Sequence, residues 1–447
     1  MSRRVKPIES SPSLEAACAR FLDEIGDWVR QCVDELADAP ALDSHDQGTF
    51  TTAWASYIRA RDGGRALRFA TRLRDAARDH FVAQGRWHHG YWTVADVHHG
   101  TEHFQLFLGA LLRLAPDDGE TAAQLADAAE HLGNWVAGVP PWFDWEQGLF
   151  RALKFGTRAV EEGRPRVNLA PHFRCVGIAL LAHDATGEPR YLELAERHAA
   201  RWADALLADR ELPAGIGPDG PLYRLEGETA REYHAFAGQA PKLVAAVDRA
   251  ENLLASDAVG CLLTLWERTE DSRFRLAAER ILDVLATQLG DPDAGPAADA
   301  LRAYRRVTCD DRYDGAVLDA LRALEPFGFA QLAIETEPQR EARPPGIGKR
   351  RDMPAWFEDG QPRRRNPILL AAAAEIAGHE PLAARAVDLA RAYLALARQC
   401  YPHGREHGCS ARSVSAVARG HGRDNGAGVV TAVLEPLLTS FGLFESI

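Results

Sequence analysis

A repeating two-helix unit constrains the fold of this chain more than any other feature of its sequence. In each copy, an apolar helical segment runs into a short polar turn, and an amphipathic helical segment follows. In the copy at 168–208, the turn ATGEP separates an apolar segment from one that carries Arg and Glu on its outer face. The other copies cover 48–81, 254–289 and 366–398 clearly, and about 97–136 and 424–441 less clearly.

The two kinds of segment predict two layers of helices. A helix that is apolar on nearly all sides must be buried, and an amphipathic partner can cover it. The predicted inner helices start near Gly48, Val97, Asn168, Leu254, Asn366 and Asn425, and the outer ones near Ser13, Arg65, Thr121, Pro189, Ser272 and Pro381. Six inner and six outer helices predict an all-α fold, an (α/α)6 toroid; an irregular helical bundle or a solenoid is the alternative.

Two stretches do not follow the repeat. One lies near 209–252 and is rich in Gly and Pro, and the other lies near 291–362. Both are interpreted as insertions, and part of the second is expected to form an additional helical pair. Long connections inside a compact domain are usually functional. Since neither stretch resembles a linker between domains, residues 1–447 are predicted to form a single domain.

Composition narrows the class of partner. Lys and Arg number 52 against 64 Asp and Glu, a net charge of -12. This balance argues against nucleic-acid binding, which needs a basic face. No stretch approaches the 18 apolar residues of a membrane span, so no membrane association is expected. Seven scattered cysteines without a C-x-x-C pair, and a start MSRRVKPIESSPS without an apolar core, favour a cytoplasmic protein.

Polar and aromatic residues gather before the predicted inner helices, where a toroid would bring its loops together over the central cavity. The stretch before the second inner helix is the richest, RWHHGYWTVADVHHGTEHF. Asp46 and Asp96 each precede a helix and are well explained as N-caps, whose carboxylates accept hydrogen bonds from free backbone N–H groups. Trp87, Tyr91 and Trp92 exceed what a cap requires. They are interpreted as surfaces that stack on sugar rings, with packing in the core as the alternative.

Two segments carry a family resemblance. The stretch HDQGTFTTAWASYIRARDGGRALRFATRLRDAARDHF resembles the first helical pair of unsaturated glucuronyl hydrolases, and TVADVHHGTEHFQLFLGALLRL resembles their second inner helix. The resemblance implies that Asp96 is the general acid/base and that Asp46 is its partner across the cavity. In that family the acid protonates a vinyl-ether double bond and water adds. This chain departs from the pattern at His98 and His99, where the family usually has bulky apolar residues.

The first hypothesis is therefore a hydrolase of a small unsaturated or uronate-bearing oligosaccharide, acting without a cofactor. A nearby second carboxylate would raise the pKa of the acid and keep it protonated near neutral pH. Arginines would bind the uronate carboxylate by bidentate pairing. Besides the three aromatic residues, the candidate substrate-binding residues are His88, Arg166, Asn168, His172, Arg364 and Arg423.

The second hypothesis is a lyase that acts on uronates by β-elimination. Tyr233, His234 or Arg166 would take part in proton abstraction. His99 and His103 lie one helical turn apart and would hold a divalent metal. Their H-x-x-E-H spacing also occurs in zinc peptidases, but those have mixed α/β domains. A toroid that binds a sugar or a protein without catalysis, and a sugar epimerase, also remain open.

Overall fold

The structure is a computed structural model, and helices dominate the part of the chain that it describes. The described residues are 10–36, 48, 51–62, 64–161, 166–208, 211–227, 243, 245–290, 295–323, 367–400 and 438. Contacts between residues divide the chain into two compact units. Unit 1 consists of Met1–Ala39, Thr49–Ala70 and Leu285–Ile447, and unit 2 consists of Pro40–Gly48 and Thr71–Val284.

Unit 1 is built on packed pairs of helices. Helix α1 packs on α2 and on α15, and α14 packs on α12, α13 and α15. Helix α14 is buried along almost its whole length, as an inner helix must be. Arg391 of α15 forms an ion pair with Glu24 on α1, in which Nε lies 3.0 and 3.1 Å from the two carboxylate oxygens. The helices are α1 Pro12–Leu36, α2 Thr51–Arg61, α12 Gly295–Thr308, α13 Asp314–Ala323, α14 Pro367–Ala377 and α15 Glu380–Cys400.

Unit 2 contains the second, third and fourth predicted repeats. Its central helix, α7, packs on α6, α8 and α10 and on a π-helical segment. Helix α3 extends from unit 1 into unit 2. The helices are α3 Arg65–Ala83, α4 Val97–Thr101, a π-helix Glu102–Leu108, α5 Gly109–Leu114, α6 Gly119–Leu132, a 3-10 turn Ala170–His172, α7 Phe173–Thr186, α8 Pro189–Leu207, α9 Ala246–Ala255, α10 Ala258–Thr269 and α11 Ser272–Ala286.

In the described part of unit 2, four small two-stranded antiparallel sheets lie between the helices. The turn of the first has positive φ at His89 and Gly90, the backbone that a tight two-residue hairpin needs. The pairs are β1 Trp87–His88 with β2 Tyr91–Trp92, β3 Ala95–Asp96 with β6 Lys154–Phe155, β4 Phe143–Asp144 with β5 Leu149–Phe150, and β7 Gly215–Gly217 with β8 Gly220–Leu222. Because these strands have two or three residues each, they leave no alternation in the sequence to detect.

The mostly helical class predicted from the repeat is confirmed. Helices begin at Arg65, Val97, Pro189 and Ser272, as the repeat predicts. The second insertion contains the expected extra pair, α12 and α13. The predicted start near Leu254 is wrong, because one helix ends at Ala255 and the next begins at Ala258. Closure into an (α/α)6 toroid and the single-domain organisation stay predictions.

Candidate functional site

Asp96 occupies the point where a strand becomes a helix. It pairs with Lys154 at the end of β3, and the Val97 backbone N–H then donates to the carbonyl of Leu153 at 2.8 Å. Asp96 is the N-cap of α4, with extended backbone angles. The short sheet and the helix start thus fix the backbone of the carboxylate from both sides.

Both carboxylate oxygens of Asp96 contact the same residue. Oδ1 accepts from the backbone N–H of His99 at 2.9 Å, and Oδ2 lies 2.8 Å from ring atom Nδ1 of His99. The two side chains are partly open to solvent, 16% exposed for Asp96 and 29% for His99. Asp96 therefore caps the helix, as its explanation as an N-cap predicts, and at the same time forms an accessible carboxylate–imidazole pair with His99.

The electrostatics of Asp96 differ from the expectation of a raised pKa. Burial acts to raise the pKa, but the ring and backbone hydrogen bonds of His99 and its charge outweigh burial. The pKa of Asp96 therefore lies below its ordinary value. The carboxylate is ionised at neutral pH, so a proton that the pair delivers must come from the ring of His99.

A buried ion pair lies one turn further along this helix. Glu102 contacts His98 Nε2 at 3.5 Å and Arg174 at 3.4 Å, and Arg174 also donates to the His98 carbonyl at 3.1 Å. Burial and the charge of Arg174 lower the pKa of His98 to about 3. Arg174 is the second residue of α7. Its contact with Glu102 therefore joins the N-terminal parts of two helical segments that the repeat predicts to be inner ones.

A third helix, α10, is preceded by Asp257, which extends the cluster formed by Asp96, His99, Glu102 and Arg174. Gln105, in the π-helix, donates from Nε2 to Asp257 Oδ2 at 3.2 Å. Asp257 is exposed to solvent. Desolvation by the surrounding protein nevertheless raises its pKa, against the charge of Arg113 and the hydrogen bond from Gln105. The carboxylate is therefore open to solvent and also partly enclosed by protein, and this place beside Gln105 is named the recess.

Sequence reasoning missed Gln105, Arg174 and Asp257. The position of Gln105 depends on the π-helix, which changes the direction in which the side chains after Thr101 point. The spacing of apolar residues in the sequence does not reveal such a π-helix. Asp257 was hidden because the repeat was interpreted as continuous helix from Leu254. The break after Ala255 is marked in the sequence by Ser-Asp, a common start of a helix, and this signal was available.

The aromatic residues before α4 form core. Trp87 and Trp92 are 3% exposed and Tyr91 is fully buried. Trp87 stacks on Phe104 at 5.3 Å between ring centroids, and Tyr91 stacks on the same ring at 4.8 Å. Stacking on a sugar needs an open ring face, so the prediction of a sugar-binding surface does not agree with this burial. The alternative, packing in the core, does.

Two further candidate substrate-binding residues use their side chains for hydrogen bonds to the backbone. The Asn168 amide accepts from Phe150 N and donates to Phe150 O, both at 2.8 Å, in the manner of a strand neighbour. His172 is fully buried; its Nδ1 accepts from Leu169 N at 3.0 Å, and Nε2 lies 3.2 Å from the Ala152 carbonyl. Burial lowers the pKa of His172 to about 4. The polar atoms of both side chains are thus occupied by backbone partners, and a role of these residues in substrate binding stays a prediction.

The remaining candidates lie apart from the cluster or outside the described residues. His88 is exposed on β1, beside His89. Arg166 contacts Asp144 at 3.5 Å. The predictions for the remaining residues fall outside the part of the chain that the structure describes: these are Asp46, Tyr233, His234, Arg364 and Arg423.

The predicted metal pair is not brought together as a ligand set. His99 faces Asp96, whereas His103 packs edge-on against Trp87 and Phe107, with ring centroids 5.1 and 5.5 Å away. The π-helix that begins at Glu102 changes the helical phase between the two histidines. Among the described residues, no group of three or more His, Cys, Asp or Glu side chains is placed to hold a metal ion.

Comparisons with known proteins return a structural likeness. One solved structure, described as "unsaturated glucuronyl hydrolase specific for heparin", covers 97% of this chain and 98% of its own, with a TM-score of 0.48 and 12% sequence identity. No protein-family model matches the chain. No curated protein matches it either. Within the described residues, no helix has the length and apolar character needed to cross a bilayer.

Proposed function

We propose that this chain is a carbohydrate-active hydrolase that cleaves a small unsaturated or uronate-bearing oligosaccharide. The observation that carries the proposal is the pair formed by Asp96 and His99, an ionised carboxylate and an imidazole 2.8 Å apart, both partly open to solvent. A fixed carboxylate–imidazole pair is suited to move a proton in either direction. Its position at the start of a helix in unit 2 coincides with the aspartate that the family resemblance implies.

The Asp96–His99 pair can complete a hydrolytic cycle and return to its starting protonation state. When both ring nitrogens of His99 carry a proton, the ring delivers the proton of Nε2 to the substrate and becomes a neutral imidazole that still donates from Nδ1 to the ionised Asp96. It then removes a proton from the attacking water and returns to its starting state. In an unsaturated uronate the proton adds to one carbon of the vinyl-ether double bond and the oxygen of that water bonds to the other carbon, so the double bond is consumed. The hemiketal formed in this way opens and releases the second sugar as an alcohol, so atoms and charge balance.

The choice of uronates as substrates depends on the resemblance of 45–81 and 93–114 to unsaturated glucuronyl hydrolases. An assay that follows the absorbance of the enoate tests it. Loss of absorbance on a panel of unsaturated uronyl disaccharides supports the hydrolase. A rise on intact acidic polysaccharides means that the chain is a lyase, and no change on either panel overturns the uronate assignment.

The residue assignment needs a matched control. Asp96→Asn is expected to abolish the loss of absorbance. Asp271 directly precedes an outer helix; its Oδ1 accepts from the Arg273 backbone N–H at 2.9 Å, and its Oδ2 pairs with the Arg273 guanidinium at 2.7 Å. Asp271→Asn therefore makes the same chemical change in a comparable helix cap, and it should retain activity. Equal losses in the two variants would count against a catalytic Asp96.

A further inference from the structure

The recess at Asp257 is built by residues from three helices of unit 2. Gln105 comes from the π-helix, Asp257 opens α10, and Gly177 on α7 lies against the Gln105 amide. A Cβ at Gly177 would approach Gln105 Nε2 to 3.1 Å, and a Cβ at Gly260 would collide with the Asp257 carboxylate. Two glycines on two different helices therefore leave the space that this amide–carboxylate pair occupies.

The side chain of Asp257 does not cap α10, the helix that Asp257 precedes. Its backbone is left-handed, with φ of 62°, and its side chain makes no capping hydrogen bond. A non-glycine residue in this conformation is uncommon, and such strain clusters at functional sites. The carboxylate is turned instead toward Gln105, where it is open to solvent.

Gln105 brings an unused acceptor to the same recess. It is 6% exposed, and its Oε1 has no hydrogen-bond partner among the described residues. Its Nε2 is occupied by Asp257. A buried amide oxygen without a partner is costly, and it points to a donor that arrives with a ligand.

The charges around the recess narrow the class of ligand. Asp257 feels the positive charges of Arg113 and Arg174. Two guanidinium groups make the recess unfavourable for a metal cation. What remains is a set of adjacent acceptors: the two carboxylate oxygens of the exposed Asp257 and, beside them, the buried amide oxygen of Gln105. This is the complement of a ligand that donates several hydrogen bonds from adjacent atoms.

We propose that Gln105 and Asp257 form a sugar subsite that binds a vicinal diol, with the two hydroxyls donating to the carboxylate of Asp257 and to Oε1 of Gln105. The sugar class rests on the proposed function, but the subsite does not depend on hydrolysis or on a uronate. Charge-assisted hydrogen bonds to a carboxylate are about twice as strong as neutral ones, so Asp257 provides most of the affinity.

The test is a calorimetric titration of the full chain with two sets of probes. The first set is unsaturated uronyl disaccharides, titrated into Asp96→Asn so that they are not consumed. The second is methyl glycosides of neutral sugars. Each set includes a form with one hydroxyl of the diol methylated. Asp257→Asn is the test variant, because asparagine tolerates the left-handed backbone.

Glu267→Gln is the matched control, since it makes the same acid-to-amide change at an exposed position further along α10. We expect Asp257→Asn to weaken binding of the free diol by about 10-fold or more. Glu267→Gln should leave affinity unchanged. In the protein with Asp257 intact, methylation of the diol should cause a loss of similar size.

The outcomes separate this proposal from the proposed function. Equal affinity for free and methylated diols overturns the subsite, as does absence of binding in both probe sets. Binding of neutral glycosides that depends on Asp257, without any hydrolysis of uronyl disaccharides, supports the subsite and contradicts the proposed function. Because the methylated probes are tested on a protein with Asp257 intact, the result stands even if Asp257→Asn does not fold.

Discussion

Asp96 contacts His99 through both of its carboxylate oxygens, one at the backbone N–H and one at ring Nδ1. The first contact starts a helix, and the second makes a proton-transfer pair. The two roles separate on substitution, because asparagine is as good an N-cap as aspartate while alanine is a poor one.

Substitution of Asp96 should therefore affect activity and stability differently. Asp96→Asn is expected to lose activity while the midpoint of urea unfolding stays close to that of the parent. Asp96→Ala should lose the same activity and, in addition, about 1 kcal/mol of unfolding free energy with the cap. Activity is followed by the enoate absorbance and stability by urea titration. An Asp96→Asn variant with full activity would exclude the pair from catalysis.

Trp87 offers a test of core packing against sugar stacking. The ring is almost fully buried, between Phe81, Trp92 and Phe104. Trp87→Ala should lower the free energy of unfolding by about 3–5 kcal/mol, as truncation of a large buried ring does. Urea titration measures this change. A variant of unchanged stability whose sugar affinity falls would restore the stacking interpretation.

The fold was predictable from sequence where burial alone decides it. Inner and outer segments differ in how much of their surface is apolar, and this periodicity located helix starts such as Arg65 and Pro189 to the residue. It also brought attention to Asp96, which follows a polar stretch and precedes a buried helix. Helix starts of this kind are local, so one sequence is enough to find them.

The site was less predictable because its decisive features are not periodic. Trp87 and Tyr91 are amphipathic enough for a binding surface or for a core, and only the packing of Phe104 against both decides between them. Gln105 reaches Asp257 because a helix widens into a π-helix, a change without a composition signal. The lowered pKa of Asp96 depends on which way the His99 ring turns.

His172 should make stability depend on pH. Burial lowers its pKa to about 4, from about 6.5 in an unfolded chain. The unfolded chain therefore takes up a proton that the folded one refuses, and stability falls as pH decreases from 6.5 toward 4. Relative to His172→Gln, the parent should lose about 2 kcal/mol more unfolding free energy between pH 7 and pH 5.

Urea titrations of both proteins at pH 5, 7 and 8 check this expectation. Between pH 7 and pH 8 histidine is mostly neutral in both states, so the difference between the two proteins should change by only about 0.2 kcal/mol. Parallel behaviour down to pH 5 would mean that His172 accepts a proton in the folded protein, contrary to its burial and its two backbone contacts.

Gly260→Ala separates the recess from the stability of the helix that borders it. Gly260 is an exposed residue in the first turn of α10, and alanine there favours the helix by up to about 1 kcal/mol. The added Cβ, however, takes the place of the Asp257 carboxylate. The variant should therefore melt at the same temperature or higher and yet bind free diols more weakly. Gly119→Ala, at the start of α6 with nothing within 4 Å of the added Cβ, should melt similarly and bind as the parent does. Unchanged affinity in Gly260→Ala would show that the position of the Asp257 carboxylate does not matter for the ligand.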